Sequence, residues 1–173
     1  MNIATRRLLI RPVARDDAQA LHEYLRLPEV AQMLGWRAHA CPEETARALD
    51  SWLETGNRHA IALDDGGRVI GHISVNADSE EGRADTRELG FALNPAWQHR
   101  GYMTEAVCAV VEELFRGEVS VVWACCFAQN DASRALIERC GFKFVQRGRY
   151  NAPNGLVFDT YEYRAVKGEW QAK

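Results

Sequence analysis

No stretch of the 173-residue chain approaches the ~18 consecutive apolar residues that a bilayer span requires. Residues 1–12 alternate apolar with basic side chains and lack the uninterrupted apolar core of a secretion signal. Neither a membrane span nor a signal peptide is therefore expected, and cytoplasmic location is the default. Lysine and arginine are nowhere gathered into a block and the formal net charge is -3, so the electrostatic footprint of a nucleic-acid binder is missing. The five cysteines (Cys41, Cys108, Cys125, Cys126 and Cys140) are odd in number, have no C-x-x-C spacing and no clustered histidine partners. They read as reduced core thiols, and no metal is expected.

What the chain does have is the composition of a packed protein, 47% hydrophobic and 26% charged, which excludes disorder and coiled coils. Its length suits a single domain spanning 1–173. Residues 7–13 place Leu8, Ile10 and Pro12 on one parity, which predicts a first strand with an edge proline. Asp16-Asp17 then opens a helix in which Ala18, Leu21, Tyr24 and Leu25 recur at helical spacing, and Pro28 stops it. Further helices are predicted over 29–34 and from Pro42 through Ala46, Leu49, Trp52 and Leu53 to Gly56. Residues 59–63 and 68–76 flank Asp64-Asp65-Gly66-Gly67 as a β-hairpin, and 88–93 form another strand ended by Asn94-Pro95. A helix with Ala106, Val107, Val110, Val111 and Leu114 on its buried face follows. The apolar run 119–127 reads as a strand covered on both faces, and Asn130 starts a helix that Cys140-Gly141 closes. Residues 142–149 and 157–166 are closing strands joined by a loop containing Pro153-Asn154-Gly155. The order β-α-α-β-β-β-α-β-α-β-β predicts an α/β (α+β) fold with a mixed, mostly antiparallel sheet flanked by helices.

Chemistry is expected between the 88–93 strand and the helix after it. Strand, glycine turn and helix in that order make an anion site, because free backbone N–H groups converge at the positive end of the helix. Gly101 lets a phosphate approach the backbone, and His99 and Arg100 add charge nearby. A lone glycine would more simply mark a tight turn, and its surroundings decide between the two. Gln98-x-x-Gly101-x-Met103 is preceded by Glu88-Leu89-Gly90-Phe91-Ala92-Leu93-Asn94-Pro95 and followed by Thr104-Glu105-Ala106. This run resembles the acetyl-CoA pyrophosphate loop of the GNAT superfamily, Gln/Arg-x-x-Gly-x-Gly/Ala, with Met103 departing at the last position. Asn130-x-x-Ser133-x-x-Leu136, ending Cys140-Gly141-Phe142, is similar to that superfamily's helix beside pantetheine. Thr5-Arg6-Arg7-Leu8-Leu9-Ile10-Arg11-Pro12 looks like the opening strand of its ribosomal-protein N-terminal acetyltransferase branch, RimJ/RimL-like. With Asp159 on the last strand and the terminal Glu169-Trp170, the resemblance covers almost the whole chain.

The resemblance implies a GNAT-like fold with splayed central strands, acetyl-CoA as co-substrate and N-acetyl transfer to a primary amine. It implies a bulge in the 88–93 strand that parts it from 119–127, so that pantetheine pairs with backbone at Phe91, Ala92 and Leu93. The pyrophosphate would lie at Gln98, His99, Arg100, Gly101, Tyr102, Met103 and Thr104, with Asn130 and Ser133 beside pantetheine. An amine with unperturbed pKa ~10.4 is protonated at neutral pH, so a proton acceptor is required. Glu88 is the first candidate, similar to the base position of some histone acetyltransferases; its plain alternative is a solvated carboxylate. His72 is a weaker rival, more simply an ordinary strand histidine. Many members carry a tyrosine acid at the position Ile137 fills here, so Ser133 is the candidate to hydrogen-bond the leaving sulfur. Its alternative role is to cap the helix with Asn130. Tyr102 lies too close to the phosphate loop for that task.

The acceptor is expected under the cap, residues 28–42, and the loop 150–156, where Trp36, His39, Trp52 and Tyr150 are candidate lining residues. For the tryptophans, core packing is the plainer role. Between Pro28 and Pro42 the only acidic residue is Glu29, which disfavours a polycation and favours a peptide N-terminus laid along a strand edge. The leading expectation is therefore acetylation of a protein or peptide N-terminal α-amine. Alternatives are a small-molecule amine, such as a drug or polyamine, and a non-catalytic acyl-CoA sensor. Neither nucleic acid nor membrane is an expected partner, and a homodimer stays open.

Overall fold

The structure, a computed structural model, describes residues 1–78, 82–152 and 155–172. Pro153 and Asn154, assigned to a loop from the sequence, lie outside the described residues. In chain order the elements are β1 (Ile3–Ala4), β2 (Leu8–Pro12), α1 (Ala18–Leu25), α2 (Pro28–Met33), α3 (Pro42–Thr55), β3 (Arg58–Leu63), β4 (Val69–Ala77), β5 (Thr86–Leu93), α4 (Tyr102–Arg116), β6 (Val121–Phe127), α5 (Asp131–Arg139), β7 (Lys143–Asn151) and β8 (Val157–Val166). Single 3-10 turns cover Arg15–Asp17 and Pro95–Trp97. Strand order is β1-β2-β3-β4-β5-β6-β8-β7. Among the register pairs described, only β5 with β6 is parallel, so the fold is the mixed, mostly antiparallel α/β class that the element order predicts. Chain contacts gather into two compact units, Met1–Ser74 with Phe91–Ala106, and Val75–Gly90 with Val107–Lys173.

In the first unit, β2 pairs antiparallel with β3 and β3 with β4, setting Ile10 opposite Ile61 and Ala60 opposite His72. Alternation then turns Ala60 and Ala62 to one face, where they meet Leu21, Tyr24 and Leu25 of α1 and Leu49 and Trp52 of α3. Those helical residues recur three and four apart, so each helix buries one stripe. Pro42 supplies the preset φ at the start of α3. Gly56 ends that helix at φ 64°, its amide donating to the Trp52 carbonyl at 3.0 Å. The two-residue β1 was not expected, since a ladder so short leaves no periodic signal in sequence.

In the second unit, the parallel register runs from Thr86 opposite Val121 to Leu89 opposite Ala124. It covers only the first half of β5; the resemblance implied a parting of the strands beyond it, near Phe91 to Leu93. Strand β8 pairs antiparallel with both β6 and β7. Lying last in the strand order, β7 is exposed along nearly its whole length, and Lys143, Arg147 and Arg149 give it the charge that discourages edge-to-edge pairing. All five cysteines are free. The expectation of core thiols holds for Cys126 and Cys140; Cys41, Cys108 and Cys125 are only half-buried and correct it. For Cys41 the cause is its place just before α3, outside the packed stripe.

Candidate functional site

The first unit carries the end of the strand, the loop and the first turn of the helix picked out from the sequence. Ala92 and Leu93 are buried and Phe91 is half-buried. The Asn94 amide donates to the Ile70 carbonyl at 2.8 Å, and its side chain accepts from the Ala96 amide at 3.1 Å, which starts the 3-10 turn. Gln98 folds back to donate Nε2–H to the Leu93 carbonyl at 3.2 Å, so this glutamine closes the loop onto the strand end. His99 has φ 60° and Gly101 φ 79°. The first is a sparsely populated conformation for a side-chain-bearing residue, the kind of strain that gathers at functional loops. Gln98, His99, Arg100 and Gly101 are exposed, while Tyr102 and Thr104 are half-buried in the first turn of α4. Met103 is 5% exposed, its side chain in the core. Its departure from a small residue is thereby absorbed away from the loop face.

A carboxylate in the first turn of α4 would compete with any anion for the helix amides, and Glu105 is such a carboxylate. Its charge is taken up within the unit. Arg7 donates Nε–H to Oε2 at 2.7 Å, the Arg7 amide donates to Oε1 at 3.0 Å, and the Thr5 hydroxyl donates to Oε1 at 2.7 Å. Burial alone would raise the Glu105 carboxyl, but these hydrogen bonds hold it below its ordinary range. Arg7 also donates to the Arg100 carbonyl at 3.0 Å and lies over the Tyr102 ring at 4.5 Å. One side chain of the Thr5-to-Pro12 segment therefore ties down both the loop and the helix start. With Glu105 neutralised, Gly101 in a left-handed turn and Arg100 exposed beside Trp97, the residues suit a pyrophosphate group.

Glu88 belongs to the second unit, where it lines a cavity of about 120 Å³ with Trp123, Cys125, Arg149, Tyr150, Thr160 and Glu162. It is half-buried and sits opposite Trp123 in the β5–β6 register. Burial pushes the Cys125 thiol up to about 12, and the charges of Glu88 and Glu162 push the same way. In the same unit the Asn130 side chain accepts from the Ser133 amide at 3.0 Å, capping α5. The cap uses the backbone of Ser133 and leaves its hydroxyl out. Ile137, at the position where many relatives have an acid, is fully buried and serves packing.

The remaining candidates lie in the first unit and pack its interior. His72 is 1% exposed, and its Nδ1 shares a 2.8 Å hydrogen bond with the Tyr24 hydroxyl. Trp36 stacks on it with ring centroids 6.3 Å apart and Trp52 lies tilted against it at 4.9 Å, so the tryptophans do pack. Burial lowers His72 to about 3, with nearby Arg58 adding to the effect. His39 hydrogen-bonds Thr45 at 2.9 Å. Sequence reasoning passed over Arg7 and Glu105, which are 98 positions apart, and Glu162, which lines the cavity from β8. The one available signal was Gly148 inside an otherwise bulky strand, a mark of close approach.

Residues 7–143 match the family model described as "Acetyltransferase (GNAT) domain". The chain is 30% identical to an uncharacterized N-acetyltransferase of Bacillus subtilis, YnaD, over 98% of this chain and 99% of that one. The structure of a GNAT-family acetyltransferase from Bacillus anthracis superposes with a TM-score of 0.86 at 24% identity, covering 96% of this chain and 99% of that one. That of RimL, a ribosomal L7/L12 α-N-protein acetyltransferase in complex with coenzyme A, gives 0.78 at 20% identity, covering 98% and 99%. At these identities the two structures speak for the fold. Among the described residues no helix is long and apolar enough to cross a membrane, and no group of metal-binding side chains occurs.

Proposed function

This chain belongs to the GNAT acetyltransferase family and is an N-acetyltransferase; from that premise we propose that it acetylates the α-amine of a peptide or protein N-terminus, in the manner of the RimJ/RimL-like branch. The whole chain acts as one domain, a reading favoured by the near-complete overlap with YnaD. Acetyl-CoA, when bound, supplies the acetyl thioester. The backbone of Phe91, Ala92 and Leu93 and the side chains of Asn130 and Ser133 flank its pantetheine arm, and residues 98–104 hold its pyrophosphate. Backbone amides at the start of α4 orient that group, and Arg7 keeps Glu105 from opposing it. Glu88 accepts the proton of the incoming ammonium, leaving a neutral nitrogen with a free electron pair. The Ser133 hydroxyl, unused by the helix cap, donates a hydrogen bond to the leaving sulfur.

The observation that carries the acceptor assignment is the sparse acidity of α2 and the segment after it, together with the pairing of Glu44 and Asp50 on α3. Glu44 accepts from Arg37 at 2.9 Å and from the Ala40 amide at 2.7 Å, and Asp50 is bridged by Arg15. Only Glu29 occurs between Pro28 and Pro42, and it is exposed. A polycation draws affinity from several converging, unneutralised carboxylates, which this segment does not offer. A peptide needs a single ammonium site and backbone partners. The test compares kcat/KM for short free-amine peptides, matched N-blocked peptides containing lysine, and spermidine or an aminoglycoside. Turnover concentrated on the free-amine peptides is expected. Efficient turnover of the polycations with none on free N-termini would replace the acceptor and leave acetyl transfer in place.

A further inference from the structure

Arg58 opens β3 in the first unit and is half-buried. In the same unit Arg7, Arg11, Arg15, Arg37 and Arg68 each face a carboxylate at 2.9 Å or less. Arg26 and Arg47 are exposed, where water satisfies them. Arg58 is neither: among the described residues its side chain has no ion pair and no hydrogen bond. The carboxylates of the helical cap around it are committed elsewhere, Asp17 to Arg11, Glu44 to Arg37 and Asp50 to Arg15. What Arg58 meets instead is aromatic. Its guanidinium carbon lies 5.4 Å from the centre of the Trp36 ring and 4.8 Å from that of Trp52. His72 and Tyr24, the titratable groups packed with these rings, are both neutral.

A guanidinium taken partly out of water without an anion is unfavourable. Burial lowers Arg58 from its ordinary value, but a guanidinium stays protonated at any working pH. The two indoles offset part of the penalty through their faces, and a ring face takes up charge without accepting the N–H groups as an oxygen would. Nε is sealed from solvent with no acceptor, so the terminal nitrogens are the donors within reach of a ligand. They form a planar fork that matches the two oxygens of a carboxylate. A phosphate dianion would call for a second cation, and the histidine beside these rings carries no charge.

We propose that Arg58 is a specificity-determining residue, taking a carboxylate of the acceptor substrate on its terminal fork. The proposal rests on the reading that the acceptor lies against the cap to which Trp36 and Trp52 belong, and it narrows the peptide class to acceptors with a carboxylate near the amine. Such a carboxylate has two sources, an acidic side chain beside the N-terminus or the terminal carboxylate of a very short acceptor. With Glu29 the only acidic residue between Pro28 and Pro42, little on the cap repels it.

The test is steady-state kinetics with two pairs of acceptors, all with a free α-amine: the amides of Ala-Glu-Ala and Ala-Gln-Ala, and Ala-Ala with a free or an amidated C-terminus. The wild type should favour a carboxylate-bearing member over its neutral twin about tenfold or more in kcat/KM, and the pair that shows this identifies the source. Arg58→Gln should lower kcat/KM for that member about tenfold or more, chiefly through KM, and for the neutral twin by no more than about threefold. Arg58→Lys should keep part of the preference, since it retains the charge and loses the fork. A purely structural role would weaken both twins alike. If Arg58→Gln does not fold, the same comparison with Arg58→Lys decides. Absence of a preference in the wild type, or an equal loss on both twins in the variant, overturns the proposal. Should none of these peptides be turned over, it is the acceptor reading that fails, and calorimetric titration with N-acetylated forms of the same pairs decides Arg58. Tighter binding of a carboxylate-bearing form that Arg58→Gln abolishes upholds the fork, and equal affinity of the wild type for the twins overturns it.

Discussion

Two clusters of titratable side chains, one in each unit, are treated differently by their surroundings. In the first unit His72, Tyr24 and Arg58 lie among Trp36 and Trp52, with the Arg58 guanidinium 4.8 Å from the Trp52 ring. Burial pushes His72 down to about 3 and the Tyr24 hydroxyl up, so both are neutral and each satisfies the other. In the second unit Glu88 and Glu162 line a cavity. A polar group sealed with a neutral partner contributes order and stability. Accepting a proton from an ammonium ion needs access and charge, which favours Glu88 over His72 as the base.

Glu88→Gln should separate the clusters most sharply, lowering kcat by about 10²-fold or more at neutral pH and leaving KM for acetyl-CoA nearly unmoved. Activity should partly recover as pH rises and more of the amine loses its proton in solution. Wild-type kcat across about pH 6 to 9 would move the base elsewhere, with His72 the first place to look.

His72→Phe should do the reverse. Its kcat should stay within about threefold, while stability falls by about 1–3 kcal/mol because the buried Tyr24 hydroxyl loses its partner. The acid slope should change too. His72 in the folded chain titrates near 3, below its ordinary value of 6.5, so between these the unfolded chain binds a proton that the folded chain refuses. Stability therefore drops as pH falls through that window, and His59, lowered to about 4 by burial and by the N-terminal ammonium, acts in the same sense. Urea midpoints at about pH 7 and pH 5 should differ less in His72→Phe than in the wild type. An equal difference would mean that the histidine is solvated in the folded chain.

The smallest effect is expected for Ser133→Ala, a loss in kcat of roughly two- to tenfold with KM for acetyl-CoA little changed. Since Asn130 caps α5 through the Ser133 amide, which alanine retains, the melting temperature should hold. A drop in melting temperature with unchanged kcat would return Ser133 to a structural role.

How much of this was legible in advance follows the range of the forces involved. Pro42 and Gly56 bracket α3 because fixed φ and a left-handed cap are properties of single residues. Asn130 starts α5 for an equally local reason. Glu88 and the 98–104 loop were singled out as candidates because strand, turn and helix follow one another in the chain. Arg7 with Glu105, Tyr24 with His72 and Glu162 with Gly148 were out of reach, since each pair is joined only by the fold. Even so, the run Thr5 to Pro12 was singled out by resemblance before its arginine had a task. The structure supplies one in the clamp on Glu105.

The sulfur chemistry of the cavity has a practical side. Cys125 is pushed up to about 12, and burial carries Cys126 to about 11, so both remain thiols at any pH used for an assay. Protonated sulfur is a poor nucleophile. A chromogenic disulfide reagent that reports coenzyme release by reacting with its free thiol can thus be left in the cuvette without modifying the pocket under study. Cys41 and Cys108 are half-buried outside that cavity, and the Cys108 thiol is drawn below its ordinary range by a hydrogen bond with Cys140. Replacing Cys41 and Cys108 with serine would remove both from continuous kinetics on every variant described above.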